Sequence, residues 1–350
     1  MAPPMDYNKV GMRKSLDGVA LLLAGALAFL AAAARPAHGE PASGRALDKF
    51  FAKKRVTIAV TDSGLGGLSV LAEAAARLEA SGTFEAADLI FYNSLFSAEG
   101  GYNSLRTRAE KIAIFDSALG GLEKRYRPDL ILIACNTLSV LYEKTNFAAR
   151  TRVPVAGIVG TGVVLIAQGL KAAPDASVLI FGTSTTVSEG THRRELERRG
   201  VAPGRIVSQA CPELEGFIER DHAGAETELL ISAFVEEALQ QLPSPRPPVL
   251  ASLNCTHYGY ALPLWEAAFA GAGVKPAAIL NPNSAMVDFL FVPGRAGRFP
   301  KTRVSVRVVS MVEIGPGPAA SLGKRLARTS PATAAALAAY EHVPDLFRWE

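Results

Sequence analysis

The sequence is poor in cysteine, with only Cys135, Cys211 and Cys255 in 350 residues. An odd and small number of cysteines excludes the disulfide framework of a small secreted domain. Strong charge of one sign is also missing, because the net charge is +4 and no run of Lys or Arg stands out. We therefore expect no nucleic-acid partner. Hydrophobic residues make up 49% of the chain, which is enough for one large or two ordinary domains.

The first 39 residues have the pattern of a targeting segment. Lys9, Arg13 and Lys14 precede an apolar stretch over residues 19–34, and small residues at the end of the segment match a signal-peptidase site. The pattern predicts cleavage before Glu40 and an exported or periplasmic protein, which would meet an oxidising compartment. The alternatives are an uncleaved membrane anchor, for which the apolar stretch is short, a misassigned start, and a cytoplasmic location.

Two apolar runs lead directly into cysteines. Residues 130–137 read LILIACNT, and residues 249–257 read VLASLNCTH. Short apolar runs without alternation are typical of strands buried on both faces of a parallel sheet. Because ligands of such sheets bind beyond the carboxyl ends of the strands, each run delivers a thiol with polar neighbours to a site of chemistry.

The two halves of the chain repeat this arrangement. Asp62 precedes Cys135 by nearly the same number of positions as Thr183 precedes Cys255. This duplication predicts an α/β fold of two similar doubly wound, Rossmann-like parallel-sheet domains, related by a pseudo-two-fold axis with the active site between them. The predicted strands are residues 56–60, 89–92, 130–134 and 153–159 in the first half, and 178–181, 206–209, 249–253 and 277–280 in the second.

The same repetition gives the predicted domain boundaries. A signal peptide or anchor occupies residues 1–39, the first α/β domain residues 40–160, and the second residues 161–290. Residues 291–350 are expected to form a C-terminal strand, over residues 302–314, and a helix. We expect a returning C-terminal segment to complete the first domain.

The loop over residues 62–69, DSGLGGLS, resembles a dinucleotide fingerprint without its third glycine. Asn93 follows the next strand, where that fingerprint needs an acidic residue for the ribose, so we expect no nicotinamide cofactor. The cysteines lack the short spacing of structural zinc sites, so we expect no metal. Structural interpretations without a catalytic role remain for single residues: Asp62 as a helix cap, the cysteines as core residues, and Glu219 as a surface charge.

Five motifs together resemble the aspartate/glutamate racemase superfamily, and glutamate racemases most of all. They extend in the family's order over about residues 56–290. The motifs are DSGLGG at residues 62–67, ACNT at 134–137, GTSTT at 182–186, the segment from CP to Glu at 211–219, and CTHY at 255–258.

The resemblance implies racemisation of an amino acid without a cofactor, by two bases. One thiolate, from Cys135 or Cys255, removes the α-proton, and the other thiol protonates the opposite face. The resemblance also implies that Asp62 supports Cys135, and that His257 with Glu219 supports Cys255. The implied substrate-binding residues are Asp62, Ser63, Tyr102, Asn103, Asn136, Thr137, Thr186, Thr256 and His257.

The sequence departs from the family pattern around the expected pocket. Asn103 replaces the Gly of the family's Pro-Tyr-Gly loop, Asn254 replaces the Gly before CTHY, and His192 replaces a common Tyr. The expected substrate is glutamate, with a role in peptidoglycan synthesis for the cell wall. The alternatives are aspartate or another acidic amino acid, and a non-catalytic exported amino-acid-binding protein. Expected partners are this small substrate and a second copy in a homodimer, with membrane contact only through an uncleaved leader.

Overall fold

Parallel strands alternate with helices in the computed structural model, which describes residues 44–292 and 294–349. The leader predicted over residues 1–39 lies outside the described residues. The described strands are β1 (Arg55–Asp62), β2 (Ala86–Asn93), β3 (Leu130–Ile133), β4 (Val155–Gly157), β5 (Ser177–Gly182), β6 (Ile206–Ala210), β7 (Val249–Asn254), β8 (Ala278–Leu280), β9 (Arg303–Ser310) and β10 (Glu341–His342).

Except for α1, which precedes β1, the α-helices lie in the crossovers between these strands, because parallel neighbours cannot be joined by a tight hairpin. They are α1 (Gly44–Ala52), α2 (Leu68–Ser81), α3 (Arg108–Tyr126), α4 (Asn136–Tyr142), α5 (Asn146–Arg150), α6 (Ile158–Ala172), α7 (Ser184–Glu189), α8 (Thr191–Arg198), α9 (Leu214–Arg220), α10 (Ala225–Gln240), α11 (Leu262–Gly271), α12 (Pro282–Ala285), α13 (Pro316–Thr329) and α14 (Pro331–Ala338).

The strands form two parallel sheets that repeat one strand order. The first half contributes β2-β1-β3-β4, and the second half contributes a four-stranded sheet in the order β6-β5-β7-β8. In both halves the chain enters through an inner strand, adds its second strand on one side, and then crosses to the other side. This repeated order confirms the predicted α/β class, with parallel sheets in two similar halves.

The C-terminal segment returns to the first sheet. β9 pairs in parallel with β2 over eight residues, from Ala86 opposite Arg303 to Asn93 opposite Ser310. β10 then pairs with the outer edge of β9, and α13 and α14 pack against α2. The region that we predicted as one strand and one helix therefore contains two strands and two helices. The domain boundaries themselves stay a prediction.

The central strands are buried along their whole length. β3, β5 and β7 read LILI, SVLIFG and VLASLN, and every residue in them is buried. Such apolar runs require cover on both sheet faces, which the crossover helices supply. All described residues belong to one compact unit. Within residues 44–292 and 294–349, no helix combines the length and apolarity that a membrane crossing requires.

Candidate active site

A cavity of about 540 Å³ is lined by the residues that follow β1, β3, β5 and β7. These positions are the carboxyl ends of inner strands from both sheets, where α/β proteins bind their ligands. The volume lies in the range of small-molecule sites. Both Cys135 and Cys255 line this one cavity, each from a different half of the chain.

Cys135 follows β3 and caps the first turn of α4. Its Sγ accepts a hydrogen bond from the Leu138 amide at 3.4 Å and lies 3.1 Å from Oγ of Ser63. Burial raises the pKa of the Cys135 thiol to about 12, and the charge of Asp62 adds to the rise, while the hydrogen bond with Ser63 opposes it. At neutral pH Cys135 is therefore a protonated thiol that has a hydroxyl beside it.

Cys255 follows β7 and begins a chain of three side chains. Its Sγ lies 3.8 Å from Nδ1 of His257, and Nε2 of His257 lies 2.7 Å from Oε2 of Glu219. The backbone amide of Leu65, in the loop after β1, donates to the same Glu219 oxygen at 3.0 Å. A loop of the first half thus fixes the carboxylate that orients His257 beside the second-half thiol.

The pair formed by His257 and Glu219 stabilises the charged form of both groups. Burial lowers the pKa of His257 and raises that of Glu219, but the hydrogen bond and the attraction between them outweigh burial in both cases. The pKa of Glu219 is therefore below its ordinary value, and that of His257 is above it. Burial, with the charge of Glu215, raises the pKa of the Cys255 thiol well above its ordinary value.

Asp62 ends β1 and lies between the loops that carry the thiols. Its Oδ2 accepts a hydrogen bond from Oγ1 of Thr256 at 2.8 Å. Burial raises the pKa of Asp62, partly offset by the charge of His257 and by the bond from Thr256. Ser63, not Asp62, makes the direct contact with Cys135. The supporting role that the resemblance gives to Asp62 stays a prediction.

Two glycines let the loop after β1 approach the opposite half. A Cβ atom at Gly66 would lie 2.3 Å from Oγ1 of Thr256, and one at Gly67 would lie 2.7 Å from Oδ2 of Asp62. Neither distance can accommodate a carbon atom, so only glycine fits at these positions. The close contact with Thr256 therefore explains Gly66, one of the glycines that resemble a dinucleotide fingerprint.

Several buried polar atoms on the cavity wall have no hydrogen-bond partner among the described residues. They belong to four residues that line the cavity: Oδ1 of Asp62, both side-chain amide atoms of Asn136, the hydroxyl of Tyr102 and Oε2 of Glu215. Buried polar groups in proteins are almost always paired, so such a group at a site of chemistry requires an explanation. Together these atoms offer acceptors and donors to a small polar ligand.

Eleven of the twelve site residues from the sequence line this cavity, and Thr186 does not. The hydroxyl of Thr186 lies 3.1 Å from Oγ1 of Thr183 and 3.5 Å from Oγ1 of Thr137. Thr183 and Thr137 themselves line the wall, with their hydroxyls 2.7 Å apart. Thr186 is therefore positioned to orient these two hydroxyls from behind the wall. The functional assignments of all twelve residues stay predictions.

Sequence reasoning missed Glu215, Thr183 and Ser184 as residues of the cavity wall. Glu215 lies four residues before Glu219 on the same face of α9, but this spacing alone does not show that the face borders the cavity. Thr183 and Ser184 stand in the GTSTT motif, where the resemblance singled out only Thr186.

Two departures from the family pattern, Asn254 and His192, lie close together beside Gly162. A Cβ at Gly162 in α6 would lie 3.0 Å from Oδ1 of Asn254 and 3.4 Å from Nε2 of His192. His192 is buried, which lowers its pKa to about 4, so its imidazole is neutral near pH 7. Nδ2 of Asn254 donates a hydrogen bond to the carbonyl oxygen of Ser252 at 3.0 Å, and Asn254 also lines the cavity.

The Asp/Glu/Hydantoin racemase family model matches residues 58–243, more than half of the chain. The chain belongs to this family. The match confirms the superfamily that the five motifs indicated, and the chain is accordingly an isomerase of the racemase class.

Among similar proteins, the glutamate racemase of Aquifex pyrophilus is 27% identical over 206 residues, which cover 57% of this chain and 70% of that protein. The glutamate racemase of Paracoccus denitrificans is 29% identical over 254 residues, covering 67% of this racemase and 85% of the relative.

Solved structures show the same fold. The crystal structure of glutamate racemase from Campylobacter jejuni subsp. jejuni matches with a TM-score of 0.54 and 21% identity, and covers 78% of this chain and 97% of that one. Glutamate racemase from Francisella tularensis subsp. tularensis SCHU S4, in complex with D-glutamate, matches with a TM-score of 0.58 and 20% identity, covering 79% of this chain and 94% of that one.

Proposed function

We propose that this racemase interconverts L- and D-glutamate without a cofactor, with Cys135 and Cys255 as the two bases. One observation carries the proposal: two free thiols from different halves of the chain line one cavity of about 540 Å³. Inversion at a carbon needs a proton acceptor on one face and a proton donor on the other, and the duplicated halves provide both.

In the proposed reaction, one sulfur acts as a thiolate and the other as a thiol. The thiolate takes the α-proton, so that an S–H bond forms, the Cα–H bond breaks, and its electron pair remains on the substrate. The second thiol then gives its proton to the opposite face and is left as a thiolate. Both cysteines have raised pKa values, so the thiolate is a strong base when it forms.

The polar atoms without partners provide a binding site for the amino-acid backbone. We assign the substrate ammonium to Oδ1 of Asp62 and the α-carboxylate to donors that include the Asn136 amide. Donors at the α-carboxylate stabilise the negative charge that develops when the α-proton leaves. His257, held by Glu219, is oriented to support the Cys255 sulfur.

Two findings support glutamate as the substrate. The similar proteins named above are glutamate racemases, and one solved relative was determined in complex with D-glutamate. D-Glutamate production would place this racemase in the supply of D-amino acids for peptidoglycan. We also propose that residues 1–39 direct export, which cell fractionation of the full chain would test.

Exchange of the α-proton in heavy water tests the proposed function. The protein without residues 1–39, kept reduced and free of added cofactor, is incubated with L- or D-glutamate and with a panel of other amino acids. We expect deuterium to enter at Cα together with loss of optical activity. Binding of glutamate without any exchange would instead indicate an amino-acid-binding protein.

A further inference from the structure

Glu215 is a carboxylate on the cavity wall, one helical turn before Glu219 in α9. Its Oε1 accepts a hydrogen bond from Nδ2 of Asn103 at 2.8 Å. Its Oε2 is buried and has no hydrogen-bond partner among the described residues. A buried carboxylate oxygen without a partner loses its hydration, and this cost is recovered only when a donor reaches it.

A network of side chains fixes the position of Glu215. The other end of the Asn103 amide, Oδ1, accepts a hydrogen bond from Oγ1 of Thr185 at 3.0 Å, and Nζ of Lys111 donates to that hydroxyl at 2.8 Å. The oxygen of Asn103 is therefore committed to Thr185, and its NH₂ group faces Glu215. The carboxylate is held against the first-half loop and cannot turn away without breaking this network.

Acidic residues outnumber basic residues on the described wall of the cavity. Four acidic residues line the cavity: Asp62, Glu215 and Glu219, which are at least partly buried, and Glu213, which is exposed. Of the bases on the described wall, His257 is paired with Glu219, and Arg220 is an exposed residue whose guanidinium lies 4.4 Å above the ring of Phe217. Like charges brought together in a site cost free energy, and unpaired charges are a common means of rejecting a ligand.

We propose that Glu215 determines specificity for the distal group of the substrate, and that it accepts a hydrogen bond from a side-chain amide. Asp62 already offers an acceptor for the ammonium group, so the free oxygen of Glu215 is left for the far end of the side chain. Glutamine places an NH₂ group where glutamate places a negative charge. This inference rests on the proposed racemisation and extends its substrate class to the amide.

The test compares kcat/KM for L-glutamine and L-glutamate in the protein without residues 1–39. The unaltered protein is expected to turn over glutamine at least as efficiently as glutamate. Glu215→Gln should shift the ratio of the two values toward glutamate by roughly tenfold or more, because a like charge is replaced by a donor. Asn103→Ala, which frees the carboxylate, should shift the ratio in the same direction by a smaller factor.

Glu236→Gln is the matched control, because it makes the same change of charge on an exposed residue of α10 outside the cavity. It should leave the ratio unchanged. Two results would overturn the role of Glu215 while leaving racemisation intact. One is turnover of glutamate but not of glutamine, and the other is a ratio that Glu215→Gln does not change. An equal loss for both substrates would also overturn it, by showing that Glu215 binds the common ammonium group. No exchange with any amino acid would instead remove the proposed function itself.

Discussion

The two thiols of the cavity have unlike partners. Cys135 lies beside the hydroxyl of Ser63, whereas Cys255 lies beside an imidazole that Glu219 holds in place. A hydroxyl can support a sulfur only through a hydrogen bond, whereas an imidazole can also carry a positive charge. The two faces of the substrate therefore meet thiols of similar burial and different electrostatic support.

Replacing either thiol by a hydroxyl should remove racemisation. We expect Cys135→Ser and Cys255→Ser each to lower kcat by about a thousandfold, because a hydroxyl is a far weaker acid than a thiol and forms little base at neutral pH. Circular dichroism of both variants should match the parent. Cys211→Ser is the control, since Cys211 is buried outside the cavity wall. Nearly normal turnover in either active-site variant would contradict the two-thiol mechanism.

The raised thiol pKa values predict that activity increases with pH. Burial raises the pKa of Cys135 to about 12, so the fraction of thiolate grows with every step from neutral toward alkaline pH. We expect kcat/KM to rise by about tenfold per pH unit between about pH 6 and about pH 9. Optical rotation of L-glutamate over a buffer series would measure the profile. A plateau that begins below pH 7 would show that the free enzyme already holds a thiolate.

At the scale of elements, the loop after β1 and helix α9 meet through the pair of His257 and Glu219. The pKa of Glu219 is lowered, so the contribution of Glu219 to stability is lost as the pH falls through this lowered pKa. The pKa of His257 is raised, so its contribution is complete below the ordinary histidine value and is lost as the pH rises through the raised one. The pair is therefore most stabilising in the mildly acidic range between these limits.

Glu219→Gln tests this window. We expect the difference in Tm between parent and variant to be largest at mildly acidic pH, and to shrink in both more acidic and more alkaline buffers. Thermal unfolding followed by circular dichroism provides the measurement. Glu236→Gln is a control, because that residue is exposed on α10. A difference that stays constant across the whole pH range would show that the pair does not titrate as described.

The strands could be predicted from sequence much better than one of the helices. The apolar runs before Cys135 and Cys255 identified β3 and β7, because a strand buried on both faces of a parallel sheet needs a nearly continuous run of apolar residues. Helix α6 was missed, and the strand predicted over residues 153–159 was too long. The segment is rich in Val, Ile and Gly, which favour other conformations, but its buried residues include Ile158, Gly162 and Ile166 at helical spacing.

The site could be predicted only where a motif marked it. The five motifs identified both thiols, because each motif stands at the carboxyl end of a strand. Glu215 could not be assigned, because a glutamate in a charged helix is usually solvated, and only the contact with Asn103 shows which way this one is held. That contact joins residues far apart in the chain, which no local pattern reveals.

For the whole molecule, the C-terminal strands β9 and β10 are part of the first half's sheet. β9 pairs with the full length of β2, and Nδ2 of Asn93 donates to Oγ of Ser310 at 3.0 Å where these strands end. The loop that carries Tyr102 and Asn103 begins directly after this point. The C-terminal strands therefore support one wall of the cavity, although they lie outside the strand order that the two halves share.

Removing residues 303–349 should prevent folding of the whole unit. The cut would expose the edge of β2 along eight residues and uncover the apolar face of α2, and long unpaired edges promote aggregation. We expect the shortened protein to be insoluble or to show no cooperative thermal transition, whereas protein lacking only residues 1–39 should unfold cooperatively. A soluble shortened protein that melts cooperatively would show that β1 to β8 suffice.

The repeated strand order with unlike thiol partners has a kinetic consequence. The two enantiomers of an amino acid have the same free energy in water, so their equilibrium constant is one. In the proposed mechanism the ratio kcat/KM must therefore be identical for both directions, whatever the difference between Ser63 and His257. The asymmetry of the two halves can appear only as a kcat and a KM that rise or fall together when the starting enantiomer is changed.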